Sequence, residues 1–190
     1  MNEEYNFKEL FEKNQASYTT ITIPNSLTEK ITSFVNNIIK EKSKENHHII
    51  DNVSQFKRFY TGTLGEVALE ILLEKQFIDW SIGPSSYYNK ADLKKIFLNV
   101  GIKTVEYGKF PIISKINNYP EIINIKLNDN QVVICGLATL NVLKDYRKNS
   151  LVLDDYLRAR GTKTGFWGLD KLIPFKNYMD LLNLCNQGSI

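Results

Sequence analysis

"EIINIKLNDNQVVICGLATL", residues 121–140, decides the fold. Two apolar, β-branched runs flank the turn-forming NDN, with Asp129 and Asn130 near the bend, and this pattern predicts a β-hairpin. The second run, VVICGLA, is almost wholly apolar. A strand of that kind is covered on both faces, which places it in the middle of a sheet.

Working outward, "KADLKKIFLNVGIKTVEY" (90–107) reads as two strands close together. Side chains alternate across a strand. Leu98, Val100 and Ile102 therefore share one face, and Asn99, Gly101 and Lys103 share the other. A lysine stands in mid-strand beside a glycine that offers no side chain. On an open face it would be a solvated lysine. On a covered face it needs an anionic partner.

Helical periodicity surrounds these strands. Tyr5, Phe7, Leu10 and Phe11 fall on one helical face, and "SYTTITI" (17–23) reads as a strand or extended arm. Leu27, Ile31, Phe34, Val35 and Ile38 follow at helical spacing, with Ser26 and Glu29 as a capping box. "FKRFYTGTLGEVALEILLEKQF" (56–77) reads as a long helix or a turn leading into one, "FIDWSIG" (77–83) as a short strand, and 151–158 and 177–185 as two further helices. A helix, a run of strands, then helices again give an α/β (mixed α+β) fold: a central mixed β-sheet flanked by helices. Residues 1–50 read as an N-terminal helical and extended segment, ending in the polar "KEKSKENHH", and 51–190 as the core, together forming one compact domain. His47 and His48 lie in that polar stretch and read as solvated.

The composition, 43% hydrophobic and 24% charged over 190 residues, is that of an ordinary soluble domain. A formal net charge of +3 does not by itself call for nucleic acid. Cys135 and Cys185 show no metal-ligand spacing and read as reduced thiols. The start lacks a positive segment followed by an apolar run, and no stretch approaches the roughly 18–20 apolar residues of a membrane span. A cytoplasmic protein without a membrane partner is expected.

Three charged residues stand in the order helix, strand, strand: Glu66, Asp92 and Lys103. Carboxylates from a helix and a strand beside a strand-borne lysine can hold a hard divalent cation, because Mg²⁺ takes oxygen ligands and needs only one or two carboxylates plus a substrate phosphate. Each residue also has a plain reading. Glu66, Glu70 and Glu74 recur every fourth residue, as on a solvated helix face. Asp92 alone would be a turn residue, and Lys103 alone an exposed strand lysine.

The sequence G-E-x-A on a helix, then A-D, then G-I-K resembles the PD-(D/E)xK, restriction-endonuclease-like nucleases over about residues 56–145. The resemblance implies a four-stranded mixed sheet flanked by helices, Mg²⁺ or Mn²⁺ as cofactor, and hydrolysis of DNA phosphodiester bonds, with RNA as a further substrate and a homodimer as the assembly. It implies Asp92 as metal ligand, Lys103 as the motif lysine and Glu66 as the helix glutamate. Two positions depart from the pattern. Ala91 replaces the proline, and Gly101 stands where Glu, Asp or Gln is expected. Either Glu66 supplies the missing oxygen, or the chain is an inactive nuclease-fold module that binds nucleic acid or a protein. Glu106 could replace the acid only if a bulge re-aimed it.

Cations with nearby glycines and aromatics suit phosphate and base contact. Arg158, Arg160, Lys163 and Lys171 cluster around "RARGTKTGFWG" with Phe166 and Trp167, and Lys57 and Arg58 precede Glu66. Lys109 and Lys115 are weaker candidates. The competing reading tucks Phe166 and Trp167 into the core.

Overall fold

The computed structural model describes residues 5–42, 52–82 and 91–186. Its centre is a four-stranded mixed sheet in the order β1-β5-β4-β2. The strands are β1 (Thr19–Thr22), β2 (Gly101–Glu106), β4 (Glu121–Lys126) and β5 (Gln131–Ala138). The 121–140 hairpin is present: β4 and β5 pair antiparallel, with a register shift between Ile123 and Asn124. β5 is central as expected, since β1 pairs with its other edge, antiparallel. β2 runs parallel to β4 and forms the outer edge.

A smaller antiparallel sheet, β3-β7-β6, is built from β3 (Ile112–Ser114), β6 (Arg147–Lys148) and β7 (Lys163–Phe166). The helices are α1 (Phe7–Glu12), α2 (Asn25–Lys42), α3 (Asn52–Leu73), α4 (Leu140–Asp145), α5 (Asp155–Ala159) and α6 (Tyr178–Asn186). The fold is thus mixed α/β, a mixed sheet flanked by helices.

Alternation along the strands divides the core in two. Ile102, Ile122, Val132 and Ile134 pack with Leu64, Ala68 and Ile31 of α3 and α2. Ile123, Ile125, Val133 and Cys135 pack on the other face with Phe7, Phe11, Ile113 and Phe166. The boundary expected near residue 50 lies outside the described residues, as do His47 and His48. On its N-terminal side, β1 is a strand of the central sheet, and Phe7 and Phe11 are buried. No described helix is long and apolar enough to cross a membrane.

Three local expectations change. α2 begins at Asn25, so Ser26 is already inside the helix and does not cap it. Described residues 77–82 form no strand, because the N–H groups of Phe77 and Ile78 donate to the Glu70 carboxylate at 2.6 and 2.7 Å. Asp92 opens a 3₁₀ turn, Asp92–Ile96, not a strand. The spacing of Leu93 and Ile96, both buried, is that of a 3₁₀ turn, and the adjacent Lys94 and Lys95 break strand alternation.

Candidate functional site

The 3₁₀ turn closes back on β2. Leu93 N–H donates to Val100 O at 3.1 Å, and Ile102 N–H donates to Asp92 Oδ2 at 2.6 Å. Asp92 is therefore fixed at the head of β2 by a backbone bond, its carboxylate part-buried at that bond while the residue as a whole keeps contact with solvent. That geometry does the work expected of a hairpin: it sets a carboxylate beside the strand that carries Lys103.

Gly101 is explained by its neighbours. In the parallel register it lies opposite Glu121 of β4. A Cβ at 101 would come within 2.7 Å of the Tyr119 ring and 3.5 Å of Glu121 Cγ. The space left by the glycine is filled by a tyrosine ring and by an acid from the adjacent strand. Glu121 is 3% exposed, and its Oε1 lies 3.9 Å from Lys103 Nζ. Its Oε2 is buried with no partner. Lys103, with 35% of its side chain exposed, thus has an anionic neighbour and a path to solvent.

Glu66 comes from α3, which packs closely on β2. Gly65 lies against Thr104, and Asn124 Nδ2 donates to Gly65 O at 3.3 Å. This close approach carries Glu66 to the edge of the sheet, where Asp92 and Lys103 act on it electrostatically. Burial, then the charges of Asp92 and Glu70, push its carboxyl up to about 8, against a smaller downward pull from Lys103. Burial also raises Asp92, partly offset by the Ile102 N–H and Lys103. Burial raises Glu121 too, with Lys103 and Lys163 opposing and Asp92 adding. Burial and the two acids Asp92 and Glu121 raise the phenol of Tyr119. Lys163 of β7 is lowered by burial and by repulsion from Lys103. Asp92 and Lys103 thus act on both Glu66 and Glu121, and Lys163 adds a second cation beside Glu121.

Glu66, Asp92, Lys103 and Lys163 come together; Glu121 and Tyr119 join them without having been anticipated. Glu121 shares its strand face with Ile123 and Ile125. An acid at the head of an otherwise apolar face was the available signal. What the sequence does not carry is the parallel register that sets Glu121 opposite Gly101.

Other candidates are engaged elsewhere. Glu106 stays in regular register opposite Lys126 and pairs with Lys57 at 2.9 Å and Lys109 at 2.7 Å. It does not replace the acid, because no bulge re-aims it. Glu70 holds the turn after α3. Arg58 lies against the Phe59 ring and Arg160 against the Tyr156 ring. Arg158 is paired with Asp155, and Lys171 with Asp170 at 3.0 Å. Phe166 is fully buried and Trp167 packs edge-on to Tyr5 and Tyr146, so neither ring of "RARGTKTGFWG" is presented for base stacking. Cys135 is a buried core residue whose thiol is pushed up by burial.

Among the described residues, no three His, Cys, Asp or Glu side chains form a group that could hold a metal ion. No family model matches the chain, and no curated protein or solved structure matches it.

Proposed function

We propose that the chain is a Mg²⁺- or Mn²⁺-dependent nuclease of the PD-(D/E)xK, restriction-endonuclease-like type, hydrolysing phosphodiester bonds in DNA. The observation that carries this reading is Glu121: a buried acid with one oxygen beside Lys103 and the other without a partner. It supplies, from β4, the carboxylate whose usual place in β2 is taken by Gly101. An unpaired buried carboxylate oxygen is costly unless something satisfies it. A hard cation does so.

The donors suit such a cation only in one form. Asp92, Glu121 and Glu66 offer oxygen alone, which fits Mg²⁺ or Mn²⁺. They do not form a complete protein cage. The form that fits is a cation shared between one or two carboxylates and the substrate phosphate. Asp92 and Glu121 would hold it, with Glu66 behind them. Bound there, it would polarise the phosphodiester and lower the pKa of the attacking water.

The protein's own groups do the rest. Lys103 Nζ orients the water or donates to a non-bridging oxygen as negative charge develops. The Ile102 N–H fixes Asp92 Oδ2 before substrate arrives. Lys163 adds a second positive charge beside Glu121.

A second reading is a module that binds nucleic acid without cutting it. It is favoured by the absence of a three-ligand group among the described residues. The test is incubation of plasmid and phage DNA with Mg²⁺ or Mn²⁺ and wild-type protein, Asp92→Ala, Lys103→Ala or Glu121→Gln. Metal-dependent cutting that is lost in all three supports the nuclease. A metal-independent gel shift without cutting supports the binding module.

A further inference from the structure

A cavity of about 570 Å³ opens beside the smaller sheet, lined by Lys115, Arg147, Lys148, Asn149, Ser150 and Thr164. Three of these side chains are cationic, and none is Asp or Glu. Arg147 Nη1 donates to Lys115 O at 2.7 Å, which anchors the guanidinium at the wall and leaves its remaining N–H groups for a ligand. Lys148 is held against Tyr5, its Nζ 3.2 Å from the phenol oxygen. Thr164 lines the cavity from β7 but is 1% exposed, so its hydroxyl is closed to solvent. Asn149 and Ser150 add neutral donors. This is the inventory of a phosphate site: a planar cation for bidentate contact, a point charge, an amide and a hydroxyl.

The cavity is linked to the site already described. Thr164 follows Lys163 in β7, and Lys163 acts on Lys103 and Glu121. Lys115 follows Ser114, the register partner of Lys163. A single four-residue strand therefore joins the acid cluster to the cavity. We propose that the cavity binds a backbone phosphate of a nucleic acid strand, a few nucleotides from the phosphodiester held at Lys103. The assignment of the strand as nucleic acid rests on the function proposed above. The phosphate chemistry rests on the cavity itself.

The test uses the whole protein, a labelled DNA duplex and a salt series. Lys115→Ala and Arg147→Ala should each weaken binding uniformly across sequences and each reduce the salt slope by about one. Inorganic phosphate at millimolar concentration should compete with the duplex for wild type and compete less for Arg147→Ala. Because Arg147 also bonds Lys115 O, Lys115→Ala, which keeps that carbonyl and its bond to Arg147, is the arm that leaves this contact in place. An unchanged salt slope in both charge variants, or equal phosphate competition in wild type and variants, overturns the proposal. If wild type fails to cut yet the slopes fall as stated, the phosphate site stands and the nuclease does not. If wild type cuts and the slopes hold, the reverse is true.

Discussion

Gly101 is the residue on which the account turns. Read as a position in a motif, it is a lost ligand. Read in place, it is the gap that admits Tyr119 and Glu121. Gly101→Glu, which would restore the motif on paper, should therefore abolish DNA cutting and lower the melting temperature, because its Cβ meets the Tyr119 ring at 2.7 Å. Activity gained by this variant would show that Gly101 is a defect.

Glu66 gives a pH test in metal-free buffer. Its carboxyl ordinarily titrates at 4.5, and in the folded protein it is raised to about 8. Between these values the native form holds a proton that the unfolded chain has lost, so rising pH favours unfolding. The stabilising share of this group is complete below about 4.5 and is lost as pH passes about 8. Glu66→Gln removes that dependence. The melting-temperature advantage of the variant should be small at pH 4.5, grow with pH and level off above pH 8. An offset that does not change with pH would contradict the assigned environment. Phe97 offers a separate check, since it is 94% exposed and sits at φ 65°, a left-handed conformation that bulky side chains avoid. Phe97→Asn should stabilise the protein by about 1 kcal/mol in denaturant unfolding.

At the scale of elements, the helix–strand contact between α3 and β2 sets the position of Glu66. Gly65 is required there because a Cβ would overlap Thr104 Oγ1. Alanine is intrinsically better than glycine in a helix by about 1 kcal/mol, yet Gly65→Ala should destabilise the protein and reduce cutting. Adding Thr104→Ala should recover part of both losses in a double-mutant cycle. Strict additivity would mean that the two residues do not meet. The elements themselves were largely legible in the sequence. The 121–140 hairpin, the long helix ending at Leu73 and the helix at 178–186 follow from periodicity and turn residues. Two predicted strands do not form, for different reasons. The Glu70 carboxylate takes the N–H groups of Phe77 and Ile78, a side-chain capture that leaves no period in the sequence. Residues Asp92–Ile96 coil into a 3₁₀ turn, whose buried Leu93 and Ile96 stand three apart.

At the scale of the whole molecule, two sheets bring the site together. The larger carries Lys103 and Glu121, and the smaller adds Lys163. Lys103 was legible from its parity in β2, and Asp92 from its closeness in sequence, although the 3₁₀ turn that carries it was not. Glu121 was hidden because its meeting with Gly101 depends on the parallel pairing of β2 with β4 across 20 residues of sequence. The role of Lys163 was legible only as positive charge in a loop; its strand, and the acids it faces, came from the fold. The proposed function has a consequence for metal binding. Mn²⁺ alone should bind weakly, and its affinity should rise when DNA is present, because one or two carboxylates would need a substrate phosphate to hold such a cation.

The role of Glu121 is tested by cleavage of supercoiled plasmid by wild type and Glu121→Gln in Mg²⁺ or Mn²⁺, beside Asp92→Ala and Lys103→Ala. Wild type should cut only with metal, and Glu121→Gln should lose cutting to the same degree as the other two, with DNA binding retained. Cutting by Glu121→Gln at the wild-type rate, or none by wild type in either metal, would contradict that role.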